Sequence, residues 1–410
     1  MKSEIRLRAS IDLGTTKVSA MIAEEQKGAL RIIGVGTAPS EGLKQGVVVD
    51  IERAAGAVSK AVREAEHMAG REAKRFNVGA AGEHIRSMNS RGVVAIPSID
   101  EEIGDDDVSR AMIASRKFSL PYDREIIHTL PQEYIVDSQR GIRHPAGMYG
   151  ARLEARVHIV TASRPALDNV AKTLDLAGVE MDELVLEPLA SASACLGDDE
   201  RELGALVLDI GGGTTDVIAY SDGGVVASGV IGLGGNNVTS DVAYGLRTGR
   251  SHAEEIKIRH GCALSTMVGD DDVIDVTTVG FGGKRRLAKH LLAGIIEPRM
   301  TELFALIAEQ IRRNDLKRSL GAGVVLTGGS SMLRGARELA EQVFDLPVRV
   351  GVPAGVEGLS EVVSHPRFAT GVGLLREFGD VERGNNARGE HAKKLMQSLG
   401  SLKRAIASFI

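Results

Sequence analysis

The 410-residue sequence contains no tryptophan, and aromatic residues make up only 3% of it. A core must therefore be assembled from aliphatic side chains, which dominate a hydrophobic content of 43% and suit a layered α/β protein. Cysteine is almost as scarce. Cys195 and Cys262 stand far apart and without metal-ligand spacing, which argues against a disulfide framework or a zinc site and for a reducing compartment, with both thiols in the core. Long apolar runs are missing too: residues 1–8 are charged, and no stretch of about 18 apolar residues escapes a charge. Neither a signal peptide nor a membrane span is expected, so the chain reads as cytosolic. The two commonest nucleotide-loop signatures also fail. Gly282-Gly283-Lys284 is followed by Arg285 rather than Ser or Thr, and Gly34-Val35-Gly36 lacks a third glycine at the dinucleotide spacing.

The length exceeds a single typical core and predicts two lobes or several subdomains. Formal net charge is −5, yet the stretch after Glu390 carries Lys393, Lys394, Lys403 and Arg404 and no acid. The body is thus more acidic than the whole, which disfavours nucleic acid as a partner and leaves the basic end to be explained.

Apolar segments at 5–13, 18–23 and 30–35 read as a strand meander, followed by a helix capped by Asp50 with Val58, Ala61, Val62 and Ala65 on its apolar face. From residue 76 to about 161 the pattern changes to short strands (78–81, 92–96, 157–160) around one helix, and reads as an inserted subdomain. A second meander at 205–209, 217–220 and 225–230 repeats the first, which predicts a duplicated chain. Helices at 238–246 and 253–259, a β segment at 273–279, a long helix broken near Pro298 and a buried strand at 324–327 follow. Asp105-Asp106-Asp107 is expected to begin a helix and Asp270-Asp271-Asp272 to be a solvated loop. Lys284-Arg285-Arg286 either receives an acidic peptide or is simply an exposed loop, the commoner case for any single residue.

Two similar turns carry the chemistry. Asp12-Leu13-Gly14-Thr15-Thr16-Lys17 and Asp209-Ile210-Gly211-Gly212-Gly213-Thr214-Thr215-Asp216 each join two strands of a meander. Glycine lets backbone N–H groups converge on a phosphate, and threonine hydroxyls add donors, so two such turns grip a polyphosphate from opposite sides. Asp12 and Asp209 end the first strands, where carboxylates hold Mg²⁺ indirectly through its waters. Lys17 supplies a point charge. The alternative is a pair of ordinary hairpin turns with solvated tips, against which the repetition speaks. A third element, Thr327-Gly328-Gly329-Ser330-Ser331, follows a buried strand, opens a helix and lets backbone pass flat under a nucleoside. Glu254 and Lys257, three apart on a helix, either bracket a ribose or adenine edge or form a surface ion pair.

Residues 379–391 are polar with Gly and Asn, and read as a flexible linker of roughly 20 Å reach. Beyond it Leu395, Leu399, Leu402, Ile406 and Phe409 recur at helical spacing, with Lys393 and Arg404 opposite, as in an interfacial membrane helix. Each basic residue adds about 1 kcal/mol near an anionic leaflet. Docking of this helix on protein is the alternative.

The three glycine elements, in this order, resemble the two phosphate motifs and the adenosine motif shared by actin, Hsp70 and the sugar kinases. Within that superfamily, His128-Thr129-Leu130-Pro131-Gln132-Glu133-Tyr134, Arg259-His260-Gly261-Cys262-Ala263-Leu264, Ile296-Glu297-Pro298-Arg299 and Val325-Leu326-Thr327-Gly328-Gly329 resemble the FtsA family of bacterial cell-division proteins. The resemblance implies an α/β, actin-like two-lobed fold of duplicated ribonuclease-H-like domains, with an inserted 1C subdomain and a C-terminal amphipathic helix. It divides the chain into 1A (1–75, 163–203 and a return at 361–378), 1C (76–162), 2A (204–231 and 299–360), 2B (232–298), a linker (379–391) and a membrane-targeting helix (392–410). It further implies ATP and Mg²⁺ as ligands, with at most weak ATPase activity. Implied binding residues are Gly14, Thr15, Thr16, Lys17, Gly211, Gly212, Gly213, Thr214, Thr215, Glu254, Lys257, Gly328, Gly329 and Ser330. Leu186-Glu187-Pro188-Leu189-Ala190 resembles the hinge helix of Hsp70 and MreB, where the Glu positions the attacking water, so Glu187 is a candidate general base; a Glu before Pro also suits any helix start.

Implied partners are FtsZ, through its C-terminal peptide on 2B, further copies in filaments, later division proteins through 1C, and anionic lipids. The implied location is the cytoplasmic face of the inner membrane at the septum. A small-molecule kinase of the same superfamily is the rival enzyme, although it would not need the tail. An Hsp70-like chaperone is a third class, with no room here for a separate peptide-binding domain.

Overall fold

The computed structural model describes residues 5–97, 100–279 and 283–376. The expected first meander is present as β1 (Arg6–Leu13), β2 (Lys17–Gln26) and β3 (Ala29–Pro39), paired antiparallel. A small hairpin of β4 (Leu43–Lys44) and β5 (Val47–Val48) leads into α1 (Ile51–Ala69). Asp50 caps α1 by accepting from Arg53 N at 3.1 Å, satisfying one of the free N–H groups of its first turn. The buried Ala54, Val58, Ala61, Val62 and Ala65 press α1 onto the sheet. Two parallel strands, β6 (Arg75–Ala80) and β11 (Glu180–Leu186), extend this sheet beyond β1, with α3 (Arg164–Ala177) packed beside α1.

The inserted unit has its own sheet and core. β7 (Arg86–Ala95), β8 (Arg124–Val136), β9 (Gln139–Ile142) and β10 (Arg152–Ser163) run in the order β7-β10-β8-β9, with α2 (Asp105–Ser115) against them. Asp105, Asp106 and Asp107 fill the first turn of α2, as expected from the favourable dipole there. The strands are longer than the sequence suggested. The His128–Tyr134 motif lies in β8, where the register shifts opposite Arg156 and Val157, at Pro131. Proline supplies no ladder N–H and is tolerated at such a bulge.

The second lobe repeats the first. After α4 (Glu187–Cys195) and α5 (Asp198–Leu203), the meander β12 (Ala205–Ile210), β13 (Thr215–Ser221) and β14 (Gly224–Ile231) is joined by parallel β17 (Gly323–Thr327) and β18 (Val348–Val350). Between these lie α6 (Gly235–Leu246), α7 (Arg250–His260), the hairpin β15 (Val273–Thr277) and β16 (Lys284–Ala288), and α8 (Lys289–Arg313). α9 (Ala336–Phe344) packs on α8 and β18. The chain then re-enters the first sheet as β19 (Val356–Gly358), parallel to β3, and ends its described course in α10 (Ser360–Val363) and α11 (Ala369–Leu374). α4 and α11 pack together between the lobes. Cys195 and Cys262 are free and buried, as expected.

Several expected boundaries move. β6, assigned to the insertion by a limit at residue 76, is hydrogen-bonded to β1 and β11 in the first sheet. The return to that sheet begins at Val356 rather than at 361. α8 is not broken at Pro298, so the limit at 298 falls inside a helix. Its continuous buried face of Leu292, Ile296, Met300, Leu303, Phe304 and Ile307 outweighs one missing hydrogen bond. Lys284, Arg285 and Arg286 are exposed, but on β16 rather than in a loop.

The insertion touches the second lobe along β14. Gln132 Nε2 donates to Val225 O at 2.9 Å, Asn89 Nδ2 to Val226 O at 3.2 Å and Ser87 Oγ to Ser228 O at 2.6 Å. His158 Nδ1–H donates to Asn89 Oδ1 at 2.7 Å, and Nε2 accepts from Ser228 Oγ at 2.8 Å. Burial lowers the His158 pKa to about 4, which keeps the imidazole neutral for this pairing.

Candidate functional site

The two glycine and threonine turns meet across a cavity of about 430 Å³ between the lobes. They interlock: a Cβ built on Gly212 would lie 2.2 Å from Thr16 Cγ2, and one on Gly213 would lie 2.6 Å from Thr15 Oγ1. Only glycine leaves room for the threonines of the opposite turn. Gly14, Thr15, Thr16, Lys17, Gly211, Gly212 and Thr214 line the cavity. Thr215 does not; it is fully buried and its hydroxyl donates to Leu233 O at 2.8 Å, because successive strand residues face opposite ways. Gly213 also lies off the cavity wall, against Thr15.

The third glycine element closes one side. Gly328 has φ +82°, and a Cβ there would lie 2.3 Å from Asp209 Oδ1, so the backbone passes directly over that carboxylate. Gly328, Gly329 and Ser330 all line the cavity, and Ser330 Oγ donates to Gly211 O at 3.0 Å. The element opens a 3₁₀ turn, Gly329–Met332, rather than the expected helix; α9 starts only at Ala336. Glu254 and Lys257 line the same cavity and also pair with each other at 2.8 Å. Lys257 Nζ donates to Gly235 O at 3.1 Å and Thr239 Oγ1 at 2.9 Å, which fixes α7 against the start of α6.

Four buried carboxylates share the cleft floor: Asp12, Glu187, Asp209 and Asp216. Burial raises the pKa of Asp12, while Lys17 opposes the rise. Asp209 is raised by burial and held back by hydroxyls, with Ser191 Oγ donating to its Oδ2 at 2.5 Å and Thr370 Oγ1 at 3.0 Å. Glu187, the first residue of α4, is pushed well above the carboxylate range by burial and then by Asp12, Asp216 and Asp209. Asp216 rises for the same reasons, burial first and then Asp209 and Asp12. The opposing charge is Lys17, whose pKa burial lowers. Its Nζ and Asp216 Oδ1 are buried without a hydrogen-bond partner. Among the described residues no three His, Cys, Asp or Glu side chains stand close enough to hold a metal ion together.

The sequence reading missed Asp216, Ser191, Thr370, His365 and Arg367, all on the cleft or on its carboxylates. Asp216 was visible at the end of the second turn. The others come from α4 and from the segment 365–370 that leads into α11. Lys393, Leu395, Leu399, Leu402, Arg404, Ile406 and Phe409 lie outside the described residues, with all of 377–410. Among the described residues no helix is long and apolar enough to cross a membrane.

Residues 206–373 match the family "Cell division protein FtsA", and residues 82–161 match "SHS2 domain inserted in FTSA". The chain is 46% identical to cell division protein FtsA of Pseudomonas aeruginosa, over 90% of this chain and 88% of that one. It is 38% identical to cell division protein FtsA of Escherichia coli K12, over 99% and 97%. Among solved structures it is similar to a PilM-PilN type IV pilus biogenesis complex, with TM-score 0.64, 17% identity and 90% and 97% coverage. It is also similar to MreB5 of Spiroplasma citri bound to ADP, with TM-score 0.54, 15% identity and 90% and 94% coverage.

Proposed function

The chain belongs to the FtsA family of cell-division proteins and has the actin-like fold with an SHS2 insertion, and from that premise we propose that it binds ATP with Mg²⁺ between its lobes, assembles into filaments on the inner face of the cytoplasmic membrane and tethers FtsZ there. The observation that carries the ATP part is the Lys17 ammonium, buried without a hydrogen-bond partner beside two interlocked glycine turns. A buried cation of this kind fits a phosphate oxygen, and converging backbone N–H groups complete the cradle. The MreB5 neighbour was solved with ADP, which agrees with this reading.

Gly14, Thr15, Thr16, Lys17, Gly211, Gly212 and Thr214 hold the phosphates, while Gly328, Gly329, Ser330, Glu254 and Lys257 flank the nucleoside. Asp12 and Asp209, with Asp216, would hold Mg²⁺, and the ion would supply charge neutralisation of the phosphates; among the described residues no three ligands converge, which suits an ion held through its waters. Glu187 acts as a general base only when ionised, a form disfavoured by burial and by three neighbouring carboxylates. Hydrolysis is therefore slow, and the cleft serves as a nucleotide-dependent clamp first. The relatives reported above are division proteins, which sets the kinase reading aside.

The membrane part rests on the apolar spacing of Leu395, Leu399, Leu402, Ile406 and Phe409 and on the basic Lys393 and Arg404. One copy binds anionic lipid reversibly, and polymerisation makes attachment firm. The exposed Lys284, Arg285 and Arg286 offer positive charge to the FtsZ C-terminal peptide on 2B, a contact that salt weakens. The inserted unit receives later division proteins. Sedimentation with anionic vesicles tests the reading: the parent chain carries FtsZ filaments down with the lipid, and Phe409→Glu does not while still binding ATP. Equal sedimentation of the two, or unfolding of the body on truncation after Gly389, would overturn it.

A further inference from the structure

A second cation reaches the cleft from a segment that contains none of the glycine motifs. The 3₁₀ turn Pro366–Phe368 sits just before α11 and is fixed to the third glycine element: Pro366 O accepts from Thr327 Oγ1 at 3.2 Å and from Gly328 N at 3.3 Å. This places Arg367 on the cavity wall. Its guanidinium stands 4.9 Å from the centroid of the Phe368 ring, and Lys17 Nζ stands 4.3 Å from the same centroid. One ring thus gathers two positive charges, one buried and one at the mouth. Among the described residues the Arg367 guanidinium has neither a carboxylate partner nor a hydrogen bond, although four carboxylates lie on the cleft floor. Burial and then the charge of Arg367 disfavour the Lys17 cation, and an anion beside both relieves the repulsion.

The position of Arg367 decides which part of the anion it meets. A Cβ built on Gly329 would lie 3.9 Å from Arg367 Cβ, so the residue stands beside the element that flanks the nucleoside. Lys17, of the first glycine turn, lines the same cavity and shares the Phe368 ring with it. We propose that Arg367 is a phosphate-binding residue of this cleft, gripping together with Lys17 the inner phosphates that ATP and ADP share. The inference rests on the ATP reading given above and adds a residue to it. A guanidinium suits the task because its planar fork gives two parallel N–H donors to one phosphate and stays charged at any working pH.

The test is competition of ATP, ADP and adenosine against a fluorescent ATP analogue bound to the full chain with Mg²⁺. Arg367→Ala is expected to weaken ATP and ADP alike, by about tenfold at low salt, as for one hydrogen-bonded ionic contact. Adenosine should be unaffected. Arg367→Met keeps an apolar cover on Phe368 without the charge and should lose as much; Arg367→Lys should recover part. Full affinity in the Met variant would reduce the residue to packing on Phe368, and full affinity in the Ala variant would remove it from the site. Loss for ATP without loss for ADP, or an equal loss for adenosine, would overturn the inner-phosphate assignment. Should Arg367→Ala unfold, the Met and Lys variants decide alone. Failure of the parent chain to bind ATP sinks the nucleotide reading itself, a different result from parent binding with unchanged variants.

Discussion

In the first turn Asp12 faces Lys17, and Ser19 Oγ donates to its Oδ2 at 3.2 Å. In the second turn the position after the threonines is Asp216, so Asp209 meets another acid of its own turn and relies on Ser191 of α4 and Thr370 of α11, between the lobes. The first turn projects Thr15 and Thr16, and the second presents bare Gly212 and Gly213 to receive them. Duplication supplied two similar backbones, but two turns meeting face to face cannot stay identical. One carries side chains and the cation, and the other carries the space and the acids.

The largest effect should come from filling that space. Gly212→Val would drive carbon into Thr16 and hold the turns apart, costing about 3 kcal/mol, or ~100-fold in ATP affinity by fluorescence titration. Affinity within a few-fold of the parent would mean that the turns separate on binding, and the interlock would lose its role. Next, Lys17→Met should weaken ATP by at least tenfold or so, since the one buried cation of the pair of turns is lost. If ADP and ATP bind the variant as they bind the parent, the first turn has no claim to the charge.

The two aspartates sharpen the comparison further. Their hydroxyl donors favour the ionised form, so removing them raises a pKa that burial has already raised. Ser191→Ala with Thr370→Ala should therefore weaken Mg²⁺-stimulated ATP binding several-fold, with the loss setting in at a higher pH than in the parent as pH is lowered. Ser19→Ala should do less, because Lys17 still faces Asp12. Equal pH profiles for the two substitutions would break the contrast between the turns. The smallest effect concerns stability without ligand. Glu187 is held above its unfolded-state pKa, so the folded chain binds its proton more tightly and loses stability as pH rises through that window. Glu187→Gln removes this loss, and thermal melts should place it a few degrees above the parent at neutral pH, with the gap closing toward the ordinary carboxylate range. A constant gap at all pH values would assign the gain to something other than charge.

The turns were legible because their chemistry is local: glycine, threonine and aspartate a few residues apart leave few other uses. The duplicated meanders and the capped α1 were legible for the same reason. Ser191, Thr370 and Arg367 were not, since the packing of α4 against α11 brings the first two to the cleft and the bonds of Thr327 and Gly328 to Pro366 bring the third. Thr215 was misplaced because the motif treats two adjacent threonines alike, while a strand sends them to opposite faces. β6 was drawn into the insertion because its parallel partners, β1 and β11, lie far off in sequence, and the expected break at Pro298 gave way to packing along α8.

The seam along β14 has a consequence for the solubility of the whole chain. β14 is the outermost strand of its sheet, and such a strand offers a row of free carbonyls on which a stray strand can nucleate. Gln132, Asn89 and Ser87 occupy Val225 O, Val226 O and Ser228 O with side-chain donors, so the template is covered without adding a strand to it. The inserted unit thereby covers part of that edge. Cutting out 82–161 would bare this edge and also take Ile85, Ile127, Leu130 and Val160 from the core of the first lobe, so the remainder would not be a smaller, better-behaved protein.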